Sequence, residues 1–232
     1  MIKFKSACAV LLTALGVFSQ AHATAVISFN SLNTSRSILY STSHDGATLS
    51  ATVTFTLSSW SAGQAQFATS ISNSSTGPGT NRLMSFGIDV VSPTLTGASA
   101  NGNWDAGIND TLPSFASVDL CIWRSNGCSG GAIGNGLGEG GIDTFVLTLL
   151  TSGDFTQGIS FTSPYGMKFQ DVGLSGQSFE FAGCAVGTPG CGDGGGGGSG
   201  GGITSVPEPG SLALLGVAIF AAGASRTRRG RA

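Results

Sequence analysis

The chain has 232 residues and only 9% are charged, with 10 Lys/Arg, 12 Asp/Glu, a net charge of −2 and 38 glycines. An average soluble domain carries about 25% charged residues and about 7% glycine. This balance excludes a coiled coil, a long-helix bundle, an acidic disordered chain and a generally basic nucleic-acid binder.

The first 23 residues open with Lys3 and Lys5 and continue through an apolar run, Ala7 to Phe18. They close on Ala21-His22-Ala23. A basic start, an apolar run too short to span a bilayer and a small-x-small end mark a secretory signal peptide, cleaved after Ala23. Without the two ends, residues 24–205 hold four basic residues (Arg36, Arg82, Arg124, Lys168) and eleven acidic ones, a net of −7. Such a domain repels nucleic acid and anionic polymers at low salt.

Residues 24–186 read as one β domain. In Thr48 to Leu57, Leu49, Ala51, Val53, Phe55 and Leu57 alternate with Thr and Ser, the pattern of a half-buried strand. Ala65, Phe67, Thr69 and Ile71 continue the alternation after a Ser58-to-Gly63 loop, which predicts a hairpin. Further strands are predicted at Ala25–Phe29, Ser37–Tyr40, Arg82–Val91, Ser117–Arg124, Ile142–Leu150, Ile159–Thr162, Met167–Val172 and Ser178–Phe181. Gly, Pro, Asn, Asp and Ser punctuate the gaps, and no twelve-residue stretch has amphipathic helical character. The predicted fold is all-β, an antiparallel β-sandwich with a jelly-roll arrangement as one option.

Candidate chemistry is sparse. His44 lies in Ser43-His44-Asp45-Gly46, which reads as a turn, and no serine can be selected as its partner. The Gly-rich strings Gly136–Gly141 and Gly197–Gly201 lack the strand-to-helix context of a dinucleotide loop or a nucleophile elbow. Asn101, Asn103 and Asp105 alternate like the start of a calcium loop, but the glycine is one place late and Leu112 stands where a Glu is required. A surface loop over 101–110 is the expectation, with no metal and no cofactor. Trp60, Trp104 and Trp123 could stack on sugar rings, with Trp60 and Trp104 placed in loops. Asp105, Asp110 and Glu139 are the carboxylates a secreted hydrolase would use, and their spacing in space decides that reading. The Thr52-Thr54-Thr56 row resembles one line of an ice-binding array, but a single strand does not make an array.

The exported part has four cysteines, Cys121, Cys128, Cys184 and Cys191, in two Cys-x6-Cys pairs. Three disulfide connectivities are possible. The local pairs are favoured, since Ser125-Asn126-Gly127 and Gly187-Thr188-Pro189-Gly190 are turn formers. A four-cysteine zinc site is the rival, against the usual spacing of two to four within a zinc pair.

Residues 187–205 are Gly-rich and read as a flexible linker of about 24 Å r.m.s. span. The tail, 206–232, has three parts: Val206-Pro207-Glu208-Pro209, an uncharged run from Gly210 to Ala224, and a basic end with Arg226, Arg228, Arg229 and Arg231. The run predicts a short transmembrane helix over 210–224, about 22 Å long, with its arginines cytoplasmic. This tripartite tail resembles the PEP-CTERM sorting signal of Gram-negative bacteria. The resemblance implies export by the Sec machinery, transient residence in the inner membrane, processing near Pro207-Glu208-Pro209 by an exosortase-type transpeptidase, and association with exopolysaccharide and biofilm. Lys168-Phe169-Gln170 resembles a short element that recurs in proteins with this tail. The expected function is an exported surface or matrix protein with a structural or adhesive role, not an enzyme. The alternatives are a carbohydrate-binding module and a carboxylate-dependent hydrolase.

Overall fold

The computed structural model describes residues 25–191, so the signal peptide, most of the linker and the sorting tail lie outside the described residues. Twelve strands form two antiparallel sheets. The first sheet has the order β1-β10-β5-β8-β7, where β1 is Val26–Phe29, β5 Gly79–Ser92, β7 Asp105–Leu112, β8 Ala116–Trp123 and β10 Ile159–Val172. Strand β11 (Gln177–Ala182) continues past β1 along the same edge of β10. The second sheet has the order β12-β2-β3-β4-β9-β6, with β2 Ser35–His44, β3 Ala47–Trp60, β4 Gln64–Asn73, β6 Leu95–Ala100, β9 Ile142–Thr151 and β12 Cys184–Ala185.

The core follows from the alternation in β3. Leu49, Val53, Phe55 and Leu57 are fully buried, while Thr52, Thr54 and Thr56 face outward. The aromatic residues lock the sheets together. Phe29 of β1 meets Phe67 of β4 edge-on at 4.9 Å, and Phe55 of β3 meets Phe161 of β10 at 5.6 Å. Edge-to-face contacts place the positive ring edge on the negative ring face. The β2–β3 turn is the two-residue Asp45-Gly46, both at positive φ, which matches the twist of a tight hairpin.

Three expectations are corrected. Trp60 ends β3 rather than sitting in a loop, because the turn is only Ser61–Gly63. Residues 101–110 are not one surface loop: only Asn101–Trp104 turn, and Asp105 begins β7, paired to β8. Ile159–Thr162 and Met167–Val172 belong to one strand, β10. A register shift between Thr162 and Tyr165 absorbs Ser163-Pro164, so the proline interrupts the ladder without ending the strand.

Both local disulfides are present, Cys121–Cys128 and Cys184–Cys191, with Cα separations of 5.9 and 5.6 Å. The first bonds the outer face of the first sheet to a loop that covers it. Cys121, Cys128, Leu112 and Val118 form a small second core there, flanked by Phe115 and Trp123. The second closes a turned loop over residues 187–191 at the start of the linker.

Candidate functional site

The two outer faces differ. On the first sheet, loops cover the face and a charged pair is buried beneath them: Lys168 Nζ lies 2.5 Å from Glu180 Oε1, with side chains 6% and 2% exposed. On the second sheet the outward positions are bare. They carry Ser37, Leu39, Ser41 and Ser43 on β2; Thr48, Ser50, Thr52, Thr54 and Thr56 on β3; Gln66, Ala68, Ser70 and Ser72 on β4; and Ile142, Thr144, Val146, Thr148 and Leu150 on β9. None is ionisable. The register sets Ser37, Thr54, Ser70 and Thr144 side by side across four strands. Adjacent strands lie about 4.8 Å apart, so the single threonine row of β3 is extended into a hydroxyl array. Ser37 and Thr54 share a hydrogen bond of 2.8 Å, as Ser35 and Thr56 do at 2.7 Å. A depression of about 460 Å³ opens on this face beside Thr54, Ser70 and Thr144.

A larger polar cleft, about 820 Å³, lies at one end of the sandwich. It is bordered by Arg82 of β5, Trp123 at the end of β8, Arg124, Asn103 and Asp105, and the Gly134–Gly138 loop. Arg124 is fixed from two sides. Its Nη2 lies 3.5 Å from Asp143 Oδ2, and its guanidinium carbon sits 5.5 Å from the Trp104 ring centre. Its Nε is buried and has no hydrogen-bond partner. Arg82 donates from Nη1 to the Gly136 carbonyl at 3.3 Å and has no carboxylate within 4 Å among the described residues. The loop lies tightly against it, since a Cβ at Gly138 would come within 2.9 Å of Arg82 Nη1. Across the cleft, the Trp123 ring crosses Gly107, where a Cβ would meet it at 3.0 Å.

The predicted site residues are distributed as follows. Trp123 lines the cleft and is half-buried. Trp60 is half-buried against the core. Trp104 is 3% exposed, stacked on Phe145 at 5.3 Å and edge-on to Phe86 at 5.9 Å, so its faces are taken by protein. Asn103 and Asp105 face the cleft, whereas Asn101 lies on the depression and accepts the Val146 N–H at 2.7 Å. The three carboxylates are apart: Asp105 borders the cleft, Asp110 accepts the Cys128 N–H at 2.9 Å, and Glu139 accepts from Asn81 at 2.6 Å. Asp110, Cys121 and Cys128 come together at metal-ligand distance, but both sulfurs are bonded to each other. His44 stacks on Phe179 at 3.8 Å. Lys168 and Phe169 are structural, one in the buried ion pair and one fully buried in the core. Arg82 and Arg124 were not singled out by sequence. Their signal was rarity, two of four cations in the exported part.

The tail lies outside this geometry, and its sequence decides the address. Residues 205–229 match the family model of the PEP-CTERM protein-sorting motif. The tail is a PEP-CTERM sorting motif. It contains Val206, Pro207, Glu208 and Pro209 and the arginines 226, 228 and 229. A chain with a PEP-CTERM motif is a secreted, exosortase-sorted surface protein, and the exosortase is its processing partner. No curated protein matches the chain, and no solved structure does.

Proposed function

We propose that the β-sandwich is a structural or adhesive component of an extracellular, exopolysaccharide-containing biofilm matrix, delivered by Sec export, brief inner-membrane residence and exosortase processing. The address rests on the sorting motif at 205–229. The role rests on the bare hydroxyl array centred on Ser37, Thr54, Ser70 and Thr144. Hydroxyls both donate and accept, and no charge has to be desolvated, so a neutral polyhydroxylated polymer can lie on this face. On this reading the chain is not an enzyme, in keeping with the separate positions of Asp105, Asp110 and Glu139.

The test is retention of the full chain on exopolysaccharide purified from the producing cells. Thr54→Lys with Ser70→Lys should release it, because both lysines would have to shed water against the polymer. Equal retention of the altered and unaltered chains contradicts the assignment of the face.

The second reading is a carbohydrate-binding module, favoured by the half-buried Trp123 at the polar cleft. Polar clefts with one aromatic wall suit sugar rings, which have polar rims and apolar faces. Trp123→Ala should lower retention on polysaccharide under that reading, with the sheet face untouched.

A further inference from the structure

Among the described residues, cations are scarce and three of the four are accounted for. Lys168 is buried against Glu180, Arg124 is held by Asp143, and Arg36 is exposed and bonded to the Ser35 carbonyl. Arg82 is different. It is half-buried at the cleft wall, is held by one backbone carbonyl at 3.3 Å, and has no acid within reach among the described residues. A guanidinium has five N–H donors, so most of its hydrogen-bonding capacity is directed elsewhere than to protein. Arg124, on the same cleft, is held by Asp143 and packed on Trp104, and its unpartnered Nε is buried, so Arg82 is the cation open to a ligand. A guanidinium with unspent donors at a cleft wall calls for an acceptor, and the best geometric match to its fork is a carboxylate or a phosphate-like anion.

The other wall selects between those acceptors. The half-buried Trp123 ring borders the cleft, and Asn103 and Asp105 offer hydrogen bonds on the same rim, so a ring with hydroxyls could meet an aromatic edge and polar partners together. An inorganic anion could take the Asn103 amide as a donor but has no use for the Trp123 ring. Resting on the carbohydrate-binding reading above, we propose that the cleft binds an acidic saccharide, with the uronate carboxylate on Arg82 and the sugar ring on Trp123. The exported domain has a net charge of −7, which opposes an anionic polymer at a distance. That repulsion is screened beyond about 8 Å at physiological salt, whereas a direct guanidinium–carboxylate pair at a half-buried arginine is screened much less. Among the described residues only Arg82 and the exposed Arg36 lack an acidic partner, so an acidic chain finds few other cations to pair with.

The test is calorimetric titration of the full chain in detergent with tetramers of galacturonate and of mannuronate, each compared with its fully methyl-esterified form. The acidic tetramers should saturate the protein, and the esters should bind about tenfold more weakly or less, since esterification removes the charge and keeps the ring. Arg82→Gln should erase the difference between acid and ester, and Trp123→Ala should weaken both. The acid–ester comparison on the unaltered chain decides the matter even where a variant fails to fold. Equal binding of acid and ester overturns the acidic preference but leaves a carbohydrate-binding module. Binding of neither overturns both. Displacement of the tetramer by sulfate at equal concentration makes the cleft a simple anion site and overturns the saccharide.

Discussion

Trp104 donates its indole N–H to Asp143 Oδ2 at 3.1 Å, and the same oxygen lies 3.5 Å from Arg124 Nη2. One carboxylate oxygen therefore joins the end of the core to the wall of the cleft. Its removal leaves a buried indole donor and an unneutralised arginine that is 14% exposed. Asp143→Ala should cost about 2–3 kcal/mol in urea unfolding. Asp143→Asn keeps an acceptor for Trp104 and should cost less than half as much. Equal loss in both variants would mean that the charge, not the indole bond, matters.

The Lys168–Glu180 pair is more deeply buried, and Glu180 also accepts the Ser114 N–H at 2.6 Å. Lys168→Met leaves a buried carboxylate without its counter-charge and should cost about 3–5 kcal/mol. The double change Lys168→Met with Glu180→Gln should recover most of that loss, because no unpaired charge remains. A double variant as unstable as the single one would contradict this. Urea midpoints of the two variants against the unaltered chain make the comparison.

The disulfides should differ in what they hold. Each closes a loop of about eight residues, worth about 2.5 kcal/mol in the chain-entropy picture. Cys121–Cys128 also anchors the small core of Leu112 and Val118, and Asp110 bonds the Cys128 N–H. Replacing both of its cysteines by alanine should lower the melting temperature of the whole domain. Replacing Cys184 and Cys191 should chiefly raise hydrogen exchange over residues 184–191 and lower the melting temperature less. The reverse order would show that the linker junction, not the sheet face, limits stability.

Acid should relieve one cost. Asp89 is half-buried, and loss of hydration raises its pKa; the Asp119 N–H bonded at 3.2 Å pulls it down, and the Asp119 charge pushes it up. A carboxyl raised in the folded state binds its proton more tightly there than in the unfolded chain. Its contribution is therefore best below the ordinary carboxyl pKa and is lost as pH rises through the folded value. Asp89→Asn, which keeps the acceptor, should raise the melting temperature at pH 7 by about 1–3 °C and leave it unchanged at pH 3. Asp45 and Asp154 are shifted the other way by hydrogen bonds from Ser175 and Thr156, so what they contribute is lost as pH falls.

Strands with a two-residue period were legible in the sequence. Leu49 to Leu57 alternate and fold as an alternating strand, and the local cysteine pairs follow from turn formers between them. Strands β6 and β7 were not legible. Leu95–Ala100 is built of small residues, and Asp105–Leu112 holds Gly, Asn and Asp that read as turn, with Asn109 at positive φ. Pairing to β9 and β8 overrides that propensity. The cleft was illegible for another reason. It joins Arg82, Asn103, Trp123 and the loop at 134–138, which only the closing of two sheets brings to one end. The hydroxyl array likewise depends on register between β2, β3, β4 and β9, not on any one of them.

Sorting by the PEP-CTERM tail is the claim on which location and role depend. Its most direct test is mass spectrometry of the C-terminus of the mature protein, recovered from fractionated cells and from the matrix. Processing predicts a chain that begins at Thr24, ends near Pro207-Glu208-Pro209 and is recovered outside the inner membrane. Changing Pro207 and Glu208 to alanine should leave the chain uncut in that membrane. A C-terminus intact through Ala232 in the surface or matrix fraction would contradict the account.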